Sequence, residues 1–363
     1  MPFAVTHPGQ TTKEGVHIVV IIGIDPHKGS HTAAALGSGA EVLAQLRVPA
    51  NKAMLSRLLH WASAWPERIW AVEGASGLGL LLAQQLVNAG ELVVDVPATL
   101  AARARLLHTG HGRKTDALDA VSVATVAMHS RGLHQVARED HATLLRLLAD
   151  RRDELTQERR RVVNRLHRLL RDLCAGGAPT ELGAEDAAAL LTAIRQLTAV
   201  EQERKGMARA LVADVRRLDR DLRINRKRCA EAVATSGSTL PQIFGISDVL
   251  AAKILGHTGD ITRFATAQYY ASYTGTAPVE ASSGDIRRHR LCRAGNRSLN
   301  NALHLAARVQ VMHPGLGQEH YRRKLAEHKS SREALRSLKR QLAKVVYRAL
   351  RADHDRLLVQ RLT

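Results

Sequence analysis

Aromatic side chains make up only 3% of this 363-residue chain: three Trp, five Tyr and three Phe. Reading single strands by base stacking needs a series of exposed rings, so a nucleic-acid ligand would have to be recognised by charge and shape. Cysteine is equally scarce. Cys174, Cys229 and Cys292 stand alone, without a Cys-x-x-Cys pair or a histidine at ligand spacing. Neither a zinc site nor a disulfide framework is indicated, and idle or buried thiols in a reducing compartment are expected. No apolar run reaches the ~18 residues that a spanning helix needs, and no secretory signal is visible, so a cytoplasmic protein with no membrane partner is expected. The largest deficit is in acid. Asp and Glu number 34 against 53 Lys and Arg, a formal charge of +19 with a pI near 10.7. Such an excess favours polyanions through counterion release. It is unevenly placed: residues 1–135 hold 11 basic and 9 acidic side chains, a net of +2, which leaves +17 on residues 136–363.

What is present divides the chain by pattern. At ~150 residues per domain, the length predicts two or three units. After a loose leader over residues 1–14, apolar strands are predicted over 15–25, 31–37, 41–48, 69–73 and 92–96. They alternate with helical stretches, so residues 15–135 read as one α/β domain. From Thr143 the pattern becomes helical. Leu148, Leu155, Val162, Leu166, Leu169 and Leu173 recur at steps of 7, 7, 4, 3 and 4 within a charged stretch, a coiled-coil-like seam. After a break at Ala175-Gly-Gly-Ala-Pro179, Leu211, Val215, Leu218 and Leu222 repeat it. Two long helices then make an antiparallel coiled-coil hairpin over residues 143–230. It is either a spacer packing on its own chain or, the reading preferred, a clasp between protomers of a homo-oligomer, a dimer or tetramer. A mainly α unit over residues 236–320 follows. Within it, Ile243-Phe-Gly-Ile-Ser-Asp-Val-Leu-Ala-Ala-Lys-Ile-Leu-Gly256 resembles a helix-hairpin-helix element, whose glycine turn offers N–H groups to phosphate. Residues 321–363 carry 13 basic and 4 acidic side chains with apolar residues at helical spacing, a basic C-terminal helix.

Four acids stand where a packed α/β domain gains nothing from a carboxylate. The β-branched run Val16-His-Ile-Val-Val-Ile-Ile-Gly-Ile-Asp25 predicts a buried strand. It delivers Asp25 at its carboxyl end, the edge where open α/β sheets keep their ligand crevice. Arg68-Ile-Trp-Ala-Val-Glu73 repeats the arrangement ahead of the turn Gly74-Ala-Ser-Gly77 and a helix over residues 78–89. In Gly112-Arg-Lys-Thr-Asp116-Ala-Leu-Asp119-Ala, a spacing of three puts Asp116 and Asp119 on one helix face. Singly, each acid has an ordinary explanation as a turn residue, a helix cap or a solvated first turn. Together, like charges this close need a cation between them. Carboxylate oxygens suit a hard ion such as Mg²⁺, with Mn²⁺ able to take its place, and a two-metal site about 3.5–4 Å across clamps both oxygens of a phosphoryl transfer. Farther on, Arg287, Arg288, Arg290, Arg293 and Arg297 fall within eleven positions, just after Ser282-Ser283-Gly284. A basic run of this kind is a solvated face or a phosphate grip.

Gly23-Ile-Asp25 with His27-Lys28, Val72-Glu73-Gly-Ala-Ser-Gly77 and Lys114-Thr-Asp116-Ala-Leu-Asp119-Ala resemble the DEDD transposases of bacterial insertion sequences. The resemblance continues in Phe244-Gly-Ile-Ser-Asp-Val-Leu-Ala-Ala-Lys-Ile-Leu255, Gly259-Asp-Ile-Thr-Arg-Phe264, Pro278-Val-Glu-Ala-Ser-Ser283-Gly284 and Arg293-Ala-Gly-Asn-Arg-Ser-Leu299, so it spans most of the chain. It implies a RuvC-like, RNase H-type α/β N-terminal domain, with Asp25, Glu73, Asp116 and Asp119 as Mg²⁺ ligands, and a C-terminal serine transposase domain. It also implies that Ser283, with Ser282 as the neighbouring alternative, attacks the DNA phosphodiester and becomes covalently joined to it. The arginines would stabilise phosphate charge. A structured noncoding RNA encoded by the element would pair with donor and target DNA. The stretch Tyr269-Tyr-Ala-Ser-Tyr-Thr-Gly-Thr-Ala-Pro278 is more polar than the family pattern. Other readings use the same residues differently. A RuvC-like junction nuclease would pair the four acids with water as nucleophile. An actin-like kinase, suggested by Asp25-Pro-His-Lys-Gly-Ser30, would need a second phosphate loop and leaves the charge unexplained. An architectural DNA-binding protein would need none of the acids.

Overall fold

The computed structural model describes residues 19–105, 115–195, 197–280, 289–291 and 295–362. They belong to two compact units, Met1–Glu139 and Asp140–Thr363.

The first unit holds a six-stranded sheet ordered β3-β2-β1-β4-β5-β6. β1 (Val20–Pro26), β2 (Ser30–Leu36) and β3 (Val42–Pro49) form an antiparallel meander. After α1 (Met54–Ala62), β4 (Arg68–Glu73) returns parallel to β1, and after α2 (Leu80–Asn88), β5 (Val93–Val96) lies parallel to β4. Helices α3 (Ala98–Arg105) and α4 (Asp116–His129) follow, and the short β6 (His134–Gln135) pairs antiparallel with β5. A meander that feeds parallel strands, with β1 central, is the strand order of an RNase H-type domain. Apart from the start of the first, the predicted strands fall within one residue of those observed. β6 was not foreseen, since two residues carry no period.

Alternation along the strands decides what each face meets. Val20, Ile22 and Ile24 of β1 pack with Trp70 and Val72 of β4 against α1 and α2. Ile21 and Ala71 face α3 and α4 instead. With both faces covered, β1 has to read as a continuous apolar run. Asp25 and Glu73 share the parity of Ile21 and Ala71, so both carboxylates leave on the α4 side. Helix α4 lies across β1 and β2 at a distance that only glycine allows. A Cβ on Gly23 would stand 2.2 Å from the Ala120 carbonyl oxygen and 2.5 Å from the Ala124 nitrogen.

The second unit is helical. α5 (His141–Arg171), α6 (Ala184–Ala193) and α7 (Ala199–Thr235) come first. Contacts His141–Ala232, Arg152–Leu222 and Arg159–Asp219 make α5 and α7 antiparallel. Leu155, Val162, Leu166 and Leu170 of α5 meet Ala208, Val212, Val215 and Leu218 of α7, with Leu191 of α6 in the same cluster. The foreseen seams therefore close on each other within one chain, so a clasp on a second protomer would have to use other faces. The connection is also more than a Gly/Pro turn, because α6 packs on α7.

A 3₁₀ turn (Leu240–Gln242), α8 (Asp248–Thr258), α9 (Ala267–Tyr273), the hairpin of β7 (Pro278–Glu280) and β8 (His289–Leu291), α10 (Arg297–Met312), α11 (Leu316–Ala326) and α12 (Ser331–Leu362) complete the unit. One core joins Leu145 and Leu148 to Val233, Ile254, Leu303, Leu338, Leu342 and Val346. The basic C-terminal segment thus gives one face to the core, while Arg332, Arg336 and Arg348 stay exposed. Cys174 and Cys229 are free thiols, and burial pushes that of Cys229 up. Among the described residues no helix is long and apolar enough to cross a membrane.

Candidate active site

Ile24 pairs with Val72 across parallel β1 and β4, so Asp25 and Glu73, one residue farther on each strand, finish side by side. The turn after Glu73 is tied down from β5. Gly74 N–H donates to the Val96 carbonyl at 3.0 Å, and the Asp95 carboxylate accepts from Ala75 N–H at 2.8 Å and Ser76 Oγ at 3.0 Å. Thr115 caps α4, its hydroxyl accepting from Leu118 N–H at 3.3 Å, which makes Asp116 the first helical residue and sets Asp119 one turn in. A carboxylate in a first turn is favoured by the helix dipole, but ordinarily it is solvated. Asp119 is only 3% exposed and Asp25 only 6%. The ordinary explanation therefore fails for both.

Basic side chains stand beside three of the four acids. Arg105 Nη1 donates to Asp119 Oδ1 at 2.7 Å. Arg47 Nη2 lies 3.5 Å from Asp116 Oδ2, and its Nε and Nη2 both donate to Ser30 Oγ at 3.1 Å. His27 Nδ1 lies 3.4 Å from Asp25 Oδ2. Burial and then the charge on Asp25 push the Glu73 carboxyl up, with Asp119 adding to the shift and Arg105 and His27 opposing it. The bond to Asp119 holds Arg105 more firmly charged, and Asp119, Glu73 and Asp25 reinforce this through their charges. Asp25, Glu73, Asp119 and Arg105 therefore share one electrostatic neighbourhood. One ligand atom each from Asp25, His27 and Asp116 lies within 4.8 Å of the others. Carboxylates crowded enough to push Glu73 up are relieved by a divalent cation, so these residues fit one. Thr32, Arg47, Thr115 and Asp116 are among the residues that line an open cleft of about 470 Å³ here.

The four acids read from the sequence are thus brought to one face of the sheet. The tightest group nevertheless includes His27, which the sequence offered only as part of a motif. Asp95, Arg47 and Arg105 were missed. An acid within a strand and arginines far along the chain from their partners give no local signal.

Ser283 and Ser282, with Arg287, Arg288 and Arg293, lie outside the described residues. Arg290 stands on β8 opposite Val279, and Arg297 is the first residue of α10. The described residues do show the base from which this hairpin springs. Asn296 N–H donates to the Tyr273 carbonyl at 2.7 Å, and its side chain caps α10 by accepting from Leu299 N–H at 3.0 Å. Asn300 Nδ2 donates to the carbonyls of Thr274 and Gly275, both at 3.0 Å, while its Oδ1 accepts from Lys339 Nζ at 2.6 Å. Lys339 is buried, and burial, then the charge on Arg336, pushes its ammonium down. Gly295 meets Gly275 so closely that a Cβ there would stand 2.4 Å from Gly275 Cα. Both limbs of the hairpin therefore leave from a clamped base.

Comparison with known proteins agrees with this arrangement. Residues 22–175 match a family model described as Transposase, of the DEDD IS110 type, and residues 237–322 match the model of the Transposase IS116/IS110/IS902 family. The uncharacterized protein of insertion element IS116 from Streptomyces clavuligerus is 30% identical, over 92% of this chain and 95% of that protein. Its counterpart in insertion element IS900 of Mycobacterium paratuberculosis is 28% identical over the same shares. Among solved structures, T. thermophilus RuvC in complex with a Holliday junction substrate aligns with 32% of this chain and 99% of its own, at 17% identity and a TM-score of 0.27. At that score the fold assignment rests on strand order instead. Two family models in the order of the two units, and a relative matched almost end to end, lead to one conclusion: the chain belongs to the IS116/IS110/IS902 family of insertion-sequence transposases.

Proposed function

We propose that this transposase cuts and rejoins DNA at the ends of an insertion sequence through Ser283, with Asp25, Glu73, Asp116 and Asp119 holding Mg²⁺. The observation that carries the acidic half is the arrival of Asp25 and Glu73 at neighbouring strand ends, on the face where α4 presents a buried Asp119. When bound, the ion supplies Lewis acidity toward phosphate oxygens. Ser283 Oγ attacks phosphorus, so that an Oγ–P bond forms as the bond from phosphorus to the leaving oxygen breaks. The serine loses its proton and the leaving oxygen gains one. Rejoining is the reverse, with the hydroxyl of a new strand displacing Oγ. A serine hydroxyl is a poor nucleophile unaided, and neither sequence neighbour supplies a base, so its activation is assigned to the acidic centre of the same or a partner protomer in a homo-oligomer. Arg287, Arg288, Arg290, Arg293 and Arg297 would stabilise phosphate charge.

Donor DNA, target DNA and a structured guide RNA are the partners of this reading, which places the reaction in the bacterial cytoplasm. The +17 on residues 136–363 and the scarcity of rings favour recognition of backbones and duplexes. Membership in a transposase family leaves the kinase and architectural alternatives without support.

The test is a denaturing gel for a covalent protein–DNA adduct, with element-end DNA, RNA transcribed from the element's flank and Mg²⁺. An adduct formed by the parent and lost in both Ser283→Ala and Asp116→Ala supports the reading. Metal-dependent cleavage without an adduct, unchanged in Ser283→Ala, replaces it with a nuclease that uses water.

A further inference from the structure

We infer that His27 is a metal ligand alongside Asp25 and Asp116, and that the mixed nitrogen and oxygen shell makes the centre prefer Mn²⁺ to Mg²⁺. The inference rests on the metal centre proposed above and adds to it a ligand and a choice of ion.

The geometry starts with the β1–β2 turn. His27 N–H donates to the Ser30 carbonyl at 3.0 Å, which fixes the backbone just past Asp25. From this turn the imidazole lies beside the Asp25 carboxylate at the end of β1. Ligand atoms on one octahedral ion with bonds of 2.0–2.1 Å stand roughly 3 Å apart when adjacent and about 4 Å when opposite. The His27–Asp25 separation is 3.4 Å, and the three-residue group spans at most 4.8 Å. The imidazole is half exposed and has room to turn, while Asp25 is buried at the end of its strand.

A second observation points to a ligand at the same place. Thr32 pairs with Asp25 in antiparallel register, so its hydroxyl emerges on the same face. It is nine-tenths buried, lines the cleft with Asp116, and its Oγ1 has no hydrogen-bond partner among the described residues. Buried hydroxyls are almost always satisfied, and an ion with its shell of water would supply what Thr32 lacks.

Donor chemistry decides the ion. Mg²⁺ takes oxygen ligands and keeps several waters, and imidazole suits transition ions such as Zn²⁺, Fe²⁺ and Ni²⁺; Mn²⁺ shares the carboxylate preference of Mg²⁺ but, as a member of that series, accepts a nitrogen ligand more readily. Two carboxylates keep the site hard enough for Mn²⁺. Were His27 only a countercharge for Asp25, its loss would alter both ions alike.

The experiment titrates the full-length protein with Mn²⁺, following the paramagnetic resonance signal of the free ion, and reads Mg²⁺ by competition. Parent, His27→Ala, His27→Asp and Asp116→Asn are compared, with melting curves to establish that each is folded. His27→Ala is expected to lose about tenfold or more in Mn²⁺ affinity, the loss that even an outer-shell partner of a metal costs, and much less in Mg²⁺ affinity. His27→Asp, with an all-oxygen shell, is expected to narrow the preference for Mn²⁺. Parental Mn²⁺ affinity in His27→Ala, while Asp116→Asn binds neither ion, overturns the inference and leaves the metal centre standing. A parent that binds no Mn²⁺, or an Asp116→Asn variant that binds as the parent does, overturns the metal centre and this inference with it.

Discussion

Gly23→Ala is the smallest change that tests how the acidic site is spaced. The added Cβ would lie 2.2 Å from the Ala120 oxygen, whereas ordinary contacts begin at 3.4 Å, so α4 has to retreat by about 3.4 − 2.2 = 1.2 Å. Ala120 O and Ala124 N are main-chain atoms, so no side-chain rotation absorbs the clash. Overpacking of this kind costs about 1–3 kcal/mol, which in a unit of this size lowers Tm by roughly 3–12 °C. The functional cost is larger. Asp116 and Asp119 ride on α4 while Asp25 stays on β1, and a displacement of about 1 Å within a catalytic site costs on the order of 10²-fold in rate. The assay pairs thermal melting with metal-dependent strand cleavage at 25 °C, where the variant remains folded. Gly29→Ala is the control, because a Cβ there meets nothing within 4 Å; it is expected to melt and cleave as the parent does. A Gly23→Ala protein with parental Tm and parental cleavage would refute the claim that this close approach sets the spacing of the acids.

Other substitutions probe charge. Arg105→Ala strips a buried Asp119 of its 2.7 Å partner, and with the arginine side chain 31% exposed the cost is about 1–3 kcal/mol. The metal-free protein is expected to melt lower than the parent and to gain more from saturating Mg²⁺, since an ion that binds only the folded state stabilises it; equal gains in both would count against this. Glu73→Gln tests the raised carboxyl. An acid whose folded pKa lies above its unfolded one contributes stability at low pH that is lost as pH rises through the folded value. Glu73→Gln, which cannot ionise, should therefore exceed the parent in chemical denaturation with chelator at pH 7 and match it below the ordinary glutamate range. Asn300→Ala leaves the buried Lys339 ammonium without its acceptor, at a cost of about 2–4 kcal/mol. Adding Lys339→Met should recover part of this, so urea melts of the four-corner cycle would show coupling, and strict additivity would refute it.

Strands β1 and β4 were legible because a central strand covered on both faces needs an apolar run, and Asp25 and Glu73 stand out as the acids that end these two runs. Asp116 and Asp119 were legible through helical spacing, while the Thr115 cap that starts their helix was not read from the sequence. Contacts between segments distant in sequence were not. Arg105 lies 14 positions from Asp119 and Arg47 lies 69 from Asp116, and nothing in periodicity marks either as a partner. Gly23 reads as one more small residue in a strand until α4 is laid on it. In the second unit the antiparallel pair of long helices was legible from its two apolar seams, but spacing tells which side chains want burial and not which chain supplies the cover, so spacer and clasp both stayed open. Asn300 and Lys339 look like surface residues of basic helices, and only the carbonyls of Thr274 and Gly275 reveal a clamp.

The counterions also order the two halves of the acidic site. Asp119 is held by a guanidinium at hydrogen-bond distance, whereas the Arg47 guanidinium stands 3.5 Å from the more exposed Asp116. A cation entering beside Asp119 has to displace Arg105 from its bond to a buried carboxylate; one entering beside Asp116 meets the longer Arg47 contact, and His27 there can turn from neighbour to ligand. The Asp25 side should therefore fill at the lower metal concentration. Arg105 is released toward whatever anion approaches, and a planar guanidinium is well matched to a phosphate. Arg105→Ala and His27→Ala accordingly act on opposite halves of one site, the first easing entry beside Asp119 and the second weakening retention beside Asp25.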